Sequence, residues 1–137
     1  IAPALGWAVT NDLPIVFICE DNDLSVLTKT EDRRSWKATD LAKSLDMYAV
    51  DITDDPWLIA YHVKKISESG KPGFINIRTV RGIWHAGTGV DNDLEWNRYE
   101  LVEKELSIMG LSKEMNEINI NNRERVKLLW QKLQQKL

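Results

Sequence analysis

The apolar and polar positions in the amino-terminal part of the chain alternate in segments that predict a succession of helices and strands. Apolar residues recur at helical spacing over residues 2–9 and predict a helix that ends at Asn11. Ile15–Cys19 is an unbroken apolar run, rich in β-branched residues, which is typical of a strand buried on both faces. An acidic cluster, Glu20–Asp23, ends this run, and the polar stretch that continues to Lys37 is too charged to form core.

Two further helix–strand pairs follow the polar stretch. Thr39 opens a short predicted helix, and Tyr48–Ile52 is the second predicted strand. Asp55–Pro56 begins another helix, because aspartate accepts hydrogen bonds from free amides and proline is tolerated at the first helical position. That helix ends at Gly70, and Phe74–Thr79 forms the third strand. Alternation of this kind predicts an α/β fold, with a parallel sheet that carries helices on both faces.

The remainder of the chain is predicted to be a loop followed by helices. Gly82–Asn97 has few periodic apolar residues and predicts a long loop, whereas the chain becomes helical from Arg98 and is interrupted at Gly110. We therefore expect an α/β domain over 1–97 and a helical tail over 98–137 that packs on that domain or on a partner. The last helix has an amphipathic stripe that we expect to be packed, formed by Val126, Leu129, Trp130, Leu133 and Leu137.

Composition narrows the classes of protein that remain. The 137 residues (15.8 kDa) suffice for about one domain, and 18 basic against 21 acidic residues disfavour a protein that binds nucleic acid by counterion release. No apolar run approaches the ~20 residues of a membrane span. The single cysteine, Cys19, suits a reducing compartment. The chain begins at Ile1 without Met, and three strands make a small sheet, so we expect part of a longer protein whose sheet edges are covered by further sequence or a partner.

Two polar groups follow the predicted strands, where ligands bind in open parallel sheets. The first contains Asn22, within the acidic cluster, and the second contains Arg81 and His85 beyond the third strand. Oxygen donors suit a hard cation such as Mg²⁺, which bridges to a phosphate-bearing ligand. Arginine and histidine suit the anionic end of that ligand. The alternative is that the acidic turn is a solvated loop and His85 has no role in binding.

Several segments resemble one enzyme family in the same order. Leu13–Asn22 resembles the second half of the thiamine diphosphate motif, and Val50–Asp55 resembles a Val-Asp-Gly-x-Asp turn of the same family. Ser69–Gly73 is similar to its helix-to-strand junction, and Thr79–His85 is similar to its Thr-Tyr-Arg-x-x-Gly-His loop. The tail at Gly110–Ser112 also fits. The family is the alpha subunit of the thiamine-dependent decarboxylating component of 2-oxo acid dehydrogenase complexes (pyruvate, branched-chain or acetoin).

The resemblance implies an incomplete thiamin diphosphate-binding fold, of which 1–97 is the carboxyl-terminal part, with a thiamine diphosphate and Mg²⁺ site. It implies that the side chain of Asn22 and the backbone carbonyl of Leu24 bind Mg²⁺, and that Arg81 contacts the cofactor diphosphate. His85 would bind beside the thiazolium and act as the catalytic residue that stabilises negative charge or moves a proton. The implied reaction is oxidative decarboxylation of a 2-oxo acid, with transfer of the acyl group to a lipoyl group.

The same resemblance implies a hetero-oligomer with a beta subunit and a lipoyl-bearing acyltransferase, without nucleic acid or membrane partners. The glutamate that activates the cofactor belongs to the beta subunit in this family, so the chain alone is expected to be inactive. The implied location is the cytoplasm, or the mitochondrial matrix in a eukaryote. Several features depart from the family pattern. The Gly-Asp-Gly half of the motif would precede Ile1, Asp21 replaces the first asparagine of the asparagine pair, and Asp23-Leu24 replaces the usual Gly-Tyr or Arg-Tyr. Ala86 stands where some relatives have a serine, and the loop after His85 is short.

Two alternatives remain open. A transketolase-like thiamine enzyme also fits Glu20–Asn22 and Arg78–Gly82 loosely. A non-catalytic, Mg²⁺-binding α/β signalling module would need a phospho-accepting aspartate at the end of a central strand, facing a lysine. Asp51 is not at a clear strand end, and no such lysine is apparent in the sequence.

Overall fold

The computed structural model describes residues 1–83 and 96–135, and it divides into two compact units, Ile1–Trp96 and Asn97–Leu137. Within the described residues, no helix has the length and apolar character needed to cross a membrane. The elements of the first unit in chain order are α1 (Ala2–Thr10), β1 (Val16–Asp21), β2 (Leu24–Ser25), β3 (Thr28–Lys29), α2 (Thr30–Arg33), α3 (Ala38–Ser44), β4 (Tyr48–Thr53), α4 (Pro56–Ser69) and β5 (Gly73–Arg78). Those of the second unit are α5 (Arg98–Ile108) and α6 (Ser112–Gln134).

The first unit is built around a parallel three-stranded sheet with the order β1-β5-β4. The apolar side chains of the sheet pack in two clusters, one against α1 and α3 and the other against α4. The predicted α/β class, the parallel pairing and the helices on both faces are therefore confirmed. The assignment to the thiamin diphosphate-binding fold stays a prediction.

The expectation that the first strand is buried on both faces is wrong. β1 lies at the edge of the sheet with β5 as its neighbour, and the side chain of Ile18 is 52% exposed. The central strand is β5, in which Phe74 and Ile75 are fully buried. An unbroken apolar run is typical of a buried strand, but it does not determine which strand of the sheet lies in the centre.

Close packing between α4 and β5 depends on a glycine. A Cβ atom added to Gly73 would lie 2.6–2.7 Å from the side chain of Ile66, which is itself buried in α4. No side chain fits in that space without displacement, so Gly73 allows the helix to approach the start of the central strand. The α4 cluster also contains Ile75 and Ile77, which project from the same face of β5.

The predicted ends of α4 are confirmed. Asp55 Oδ1 accepts hydrogen bonds from the amides of Trp57 and Leu58, each at 2.9 Å, and Gly70 adopts a left-handed conformation with φ of 64°. The sequence did not predict the β2–β3 hairpin or the one-turn α2, because they lie in a charged stretch with little apolar periodicity.

In the second unit, α5 and α6 form where helices were predicted. Asn97 caps α5 by accepting hydrogen bonds from the amides of Tyr99 and Glu100. The predicted loop over 82–97 falls mostly on residues 84–95, which lie outside the described residues. The stripe residues Val126 and Leu133 are 49% and 56% exposed, so their packing on another surface stays a prediction.

Candidate functional site

The carboxyl ends of β1 and β5 lie side by side. The parallel register pairs Asp21 with Arg78, and the amide of Thr79 donates to the carbonyl of Asp21 at 2.9 Å. The chain therefore leaves both strands from the same edge of the sheet. This is where side chains from separate parts of the sequence can contact one ligand.

A compact turn follows β1. Asp21 Oδ1 accepts a hydrogen bond from the amide of Asp23 at 3.0 Å, and Asn22 Oδ1 accepts one from the amide of Leu24 at 3.1 Å. Asp23 has a φ of 60°, a left-handed conformation that aspartate and asparagine tolerate better than most residues. The turn thus holds the Asn22 side-chain oxygen close to the backbone of Leu24.

The pairing of β2 with β3 determines where the carbonyl of Leu24 points. The register pairs Leu24 with Lys29, and the amide of Thr30 donates to the carbonyl of Asp23 at 3.0 Å. In an antiparallel ladder, hydrogen-bonded pairs alternate with non-hydrogen-bonded pairs. Since Asp23 and Thr30 form the hydrogen-bonded pair, the carbonyl of Leu24 is directed away from Lys29 and away from the ladder.

Arg81 lies against the same hairpin. Its Nη1 atom donates to the carbonyl of Val26 at 2.6 Å, which brings a residue beyond β5 into contact with the loop beyond β1. Val26 has a φ of 60°, an uncommon and strained conformation for a β-branched residue. The structure thus brings Asn22, Leu24 and Arg81 to one edge, whereas His85 lies outside the described residues.

A small cavity of about 290 Å³ opens beside this turn. Asn22 and Leu24 form one part of its lining, Arg33 and Arg34 contribute positive charge, and Glu20 and Asp21 contribute negative charge. Arg81 does not line this cavity. Arg33 is held by a hydrogen bond from its Nη1 atom to Ser25 Oγ at 2.7 Å. The cavity therefore combines oxygen donors with guanidinium groups, a combination suited to a cation bound together with an anionic group.

The donors near Asn22 are compatible with Mg²⁺. The Asn22 side-chain oxygen retains a second lone pair beyond its bond to the Leu24 amide, and the Leu24 carbonyl points away from the hairpin. Two protein oxygens are typical of Mg²⁺ sites that complete their octahedron with water and phosphate oxygens. Among residues 1–83 and 96–135, no group of three His, Cys, Asp or Glu side chains is arranged to hold a metal ion.

Next to this turn, a polar network that the sequence did not predict crosses all three strands. The Nδ2 atom of Asn76 in β5 donates to Asp51 Oδ1 of β4 at 3.0 Å and to Asp21 Oδ2 of β1 at 3.3 Å. Thr39, a fully buried residue of α3, donates from Oγ1 to Asp51 Oδ2 at 2.7 Å. A polar asparagine inside the apolar run of β5 was the available signal, since a buried amide needs partners.

Asp21, Asp51 and Asn76 of this network line a larger cavity, of about 560 Å³. Arg34 lies 3.7 Å from Asp21 Oδ2, and its guanidinium stacks over the ring of Trp36 at 4.9 Å. The Oδ1 atom of Asn76 is buried and has no hydrogen-bond partner within the described part of the chain. None of Asn22, Leu24 and Arg81 lines this larger cavity.

Cys19 lies in β1, two residues before Asp21 and on the same face of the strand. Burial raises the pKa of the Cys19 thiol above its ordinary value, and the Asp21 carboxylate raises it further, because both disfavour the thiolate. The Arg34 guanidinium acts in the opposite direction and lowers that pKa, without cancelling the increase. The thiol is therefore protonated at neutral pH and is a poor nucleophile.

Trp96 contacts the carboxyl edge of the sheet at the far end of the predicted loop. Its Nε1 atom lies 3.0 Å from each carboxylate oxygen of Asp54, and the guanidinium of Arg78 lies 5.5 Å from the centre of its ring. These contacts hold the Trp96 side chain against the carboxyl edge of the sheet. Sequence periodicity gives no indication of them, since Asp54 and Trp96 are 42 positions apart.

The described residues define an α/β protein whose polar site lies at the carboxyl edge of a parallel sheet. None of the protein-family models, curated proteins or solved structures compared with the chain matches it.

Proposed function

We propose that this chain is part of the alpha subunit of a thiamine diphosphate- and Mg²⁺-dependent 2-oxo acid dehydrogenase. The observation that supports this most directly is the hydrogen bond between Arg81 and the carbonyl of Val26, two residues after Leu24. It joins the turn that would bind the cation to the residue that would bind the diphosphate. The family resemblance requires these two segments to meet at one edge of the sheet.

In this proposal, the turn after β1 binds the cation and the guanidinium of Arg81 binds the diphosphate of the cofactor. The Asn22 side chain and the Leu24 carbonyl hold Mg²⁺, and Arg81 binds the diphosphate oxygens. When bound, thiamine diphosphate supplies the carbanion-stabilising group that this chemistry needs. His85 is proposed, from the resemblance alone, to stabilise negative charge or to move a proton beside the reacting carbon.

The proposed overall reaction balances with one co-substrate. The bond between the carboxylate and the carbonyl carbon of the 2-oxo acid breaks and CO₂ leaves. The remaining acyl group forms a thioester with a lipoyl group, whose disulfide is reduced in the same step. The lipoyl group belongs to an acyltransferase, and a beta subunit completes the active site, so the proposed assembly is a hetero-oligomer.

The two alternatives predict different behaviour. A transketolase-like enzyme would transfer ketol groups between sugar phosphates instead of releasing CO₂. A signalling module would need an accepting aspartate at the end of a central strand, but Asp51 lies within the edge strand β4 and is bonded to Asn76 and Thr39. The position of Asp51 therefore argues against the signalling module.

The test uses the complete alpha subunit assembled with its beta subunit. Release of CO₂ from pyruvate and from branched-chain 2-oxo acids is followed with and without thiamine diphosphate. Asn22→Ala is expected to weaken activation by Mg²⁺ about 100-fold, by analogy with the loss of metal-site residues, whereas Asn122→Ala on the exposed surface of α6 serves as the matched control. Absence of thiamine-dependent decarboxylation with every 2-oxo acid, or ketol transfer in its place, would contradict the proposal.

A further inference from the structure

The amino-terminal half of α6 packs on α5, and its carboxyl-terminal half extends beyond that helix. Met115 and Asn119 of α6 are half-buried, and Asn119 Nδ2 donates to the hydroxyl of Tyr99 in α5 at 3.0 Å. α5 has 11 residues and α6 has 23, which correspond to lengths of about 16 Å and 34 Å. Roughly 18 Å of α6 therefore extends past the helix that covers its first half.

The uncovered half carries an apolar stripe on the same face. We name it the α6 stripe, and it consists of Val126, Leu129, Trp130 and Leu133. The spacing i, i+3, i+4, i+7 places these side chains along one side of the helix, in line with Met115 and Asn119. Leu129 is 51% exposed and Trp130 is 63% exposed. A helix face that begins as a packed interface thus continues as an apolar surface in contact with solvent.

Positive charge flanks the α6 stripe on both sides. At about 100° per residue, Arg123 and Lys127 project on one side of the stripe, and Arg125 and Lys132 project on the other. Glu124 projects from the opposite face of the helix. The segment Arg123–Gln134 thus combines four cations and one anion with an apolar centre, and the anion is directed away from that centre.

We propose that the α6 stripe binds an acidic amphipathic helix of about 12 residues from a partner protein. Three observations support this occupant. The first half of the same face already packs against a helix, α5, which has three glutamates against two basic residues. The roughly 18 Å of α6 that extends past α5 equals the length of a helix of about 12 residues. The flanking cations attract carboxylates, whereas a second copy of the stripe would bring like charges together.

This inference does not rest on the proposed function. It concerns only the second unit, and its test measures binding to peptides, so it can fail while the dehydrogenase activity is found, and the reverse also holds. The intact chain is used throughout, with far-UV circular dichroism to establish that each variant retains its helical content.

The experiment selects binders from a displayed library of helical peptides. Every peptide carries leucine at the positions of one helix face, and each flanking position encodes glutamate, glutamine or lysine with equal frequency. We expect the selected peptides to be enriched in glutamate and to bind less tightly as salt concentration rises, because the attraction is partly electrostatic. Selection of peptides without an excess of glutamate, or of no peptide at all, would overturn the proposal.

Variants of the chain locate the binding surface. Leu129→Ser with Leu133→Ser is expected to weaken the dominant peptide by at least about ten-fold. Leu128→Ser is the matched control, since Leu128 is 56% exposed and projects from the opposite face, and it should change the affinity less than about two-fold. Lys127→Glu with Lys132→Glu should shift the selection toward lysine-rich peptides. Equal loss in the Leu128 control would overturn the proposal.

Two further measurements distinguish the other occupants. Sedimentation of the chain alone detects self-association, and flotation with mixed phosphatidylcholine and phosphatidylserine vesicles detects binding to an anionic membrane. We expect a monomer in the first measurement and no flotation in the second. Dimerisation or vesicle binding that is abolished by Leu129→Ser would assign the stripe to that occupant and overturn the proposal.

Discussion

The guanidinium of Arg81 donates to the backbone carbonyl of Val26 at 2.6 Å, and this contact joins the ends of β1 and β5 beyond the sheet. The two residues are 55 positions apart in the chain. The contact holds the hairpin that contains Leu24 next to the residue proposed to bind diphosphate.

Replacing Arg81 by glutamine should weaken binding of the cofactor. The variant loses a positive charge toward the diphosphate and the bond to the Val26 carbonyl, so we expect the affinity for thiamine diphosphate with Mg²⁺ to fall by about 10- to 100-fold. Calorimetric titration of the alpha–beta assembly measures the affinity. Arg123→Gln, on the exposed surface of α6, should leave it unchanged, and equal affinities for all three proteins would refute the assignment of Arg81.

Replacing Asn76 by leucine should destabilise the first unit. The amide joins Asp21 and Asp51, and its loss leaves both carboxylates short of one donor at the carboxyl edge. We expect the free energy of unfolding to fall by about 2 kcal/mol, which urea titration followed by circular dichroism measures. Asn121→Leu removes an exposed asparagine on a side of α6 away from the stripe, and it should change that free energy by less than about 0.5 kcal/mol. A variant at position 76 as stable as this control would mean that the network contributes nothing.

Alanine at two glycines should have opposite effects. A Cβ at Gly73 would meet Ile66 at 2.6–2.7 Å, so Gly73→Ala should lower the free energy of unfolding by about 1–3 kcal/mol through overpacking. Gly6 lies within α1 and has no heavy atom within 4 Å of the added Cβ, so Gly6→Ala should raise it by about 0.5–1 kcal/mol. Denaturant titration measures both. Equal effects would show that α4 does not approach β5 as closely as described.

The raised pKa of the Cys19 thiol should be visible in both reactivity and stability. The unfolded chain ionises near the ordinary thiol pKa of 9.0, whereas the folded protein stays protonated to higher pH. The stabilisation is therefore fully present below pH 9.0 and is lost as pH rises through the folded pKa. We expect slow reaction with a disulfide reagent at neutral pH, faster reaction for Asp21→Asn, and a stability loss above that pH that Cys19→Ser reduces. Rapid labelling of the folded protein at neutral pH would contradict this.

Much of the secondary structure could be predicted because its signals are local. Asp55 and Gly70 begin and end α4 through the conformations that these residue types favour, and both ends are where the sequence placed them. The β2–β3 hairpin could not be predicted, because Val26 at a φ of 60° is contrary to the preference of a β-branched residue. In the folded protein, the carbonyl of Val26 in this conformation accepts a hydrogen bond from Arg81, which is far away in the sequence.

Part of the candidate site could also be predicted, but for a different reason. Parallel strands direct their carboxyl ends to one edge, so the sequence could place Asn22 and Arg81 at a common edge. It gave no indication that Asn76 would join Asp21 to Asp51, because that contact depends on the order of three strands. Side-chain partners across a sheet are determined by which strands are neighbours and in which register.

The sequence by itself determined the class of fold, since the alternation of apolar periods and the residues at helix ends act over a few neighbouring positions. The tertiary structure alone decided that β5 is the central strand and that β1, despite its apolar run, lies at the edge. The physical reason is that strand order follows from contacts between distant segments, and many orders are compatible with the same local pattern. The hydrogen-bond partners of Asn76 and Arg81 were also decided by the tertiary structure, because each partner lies on a segment far away in the sequence.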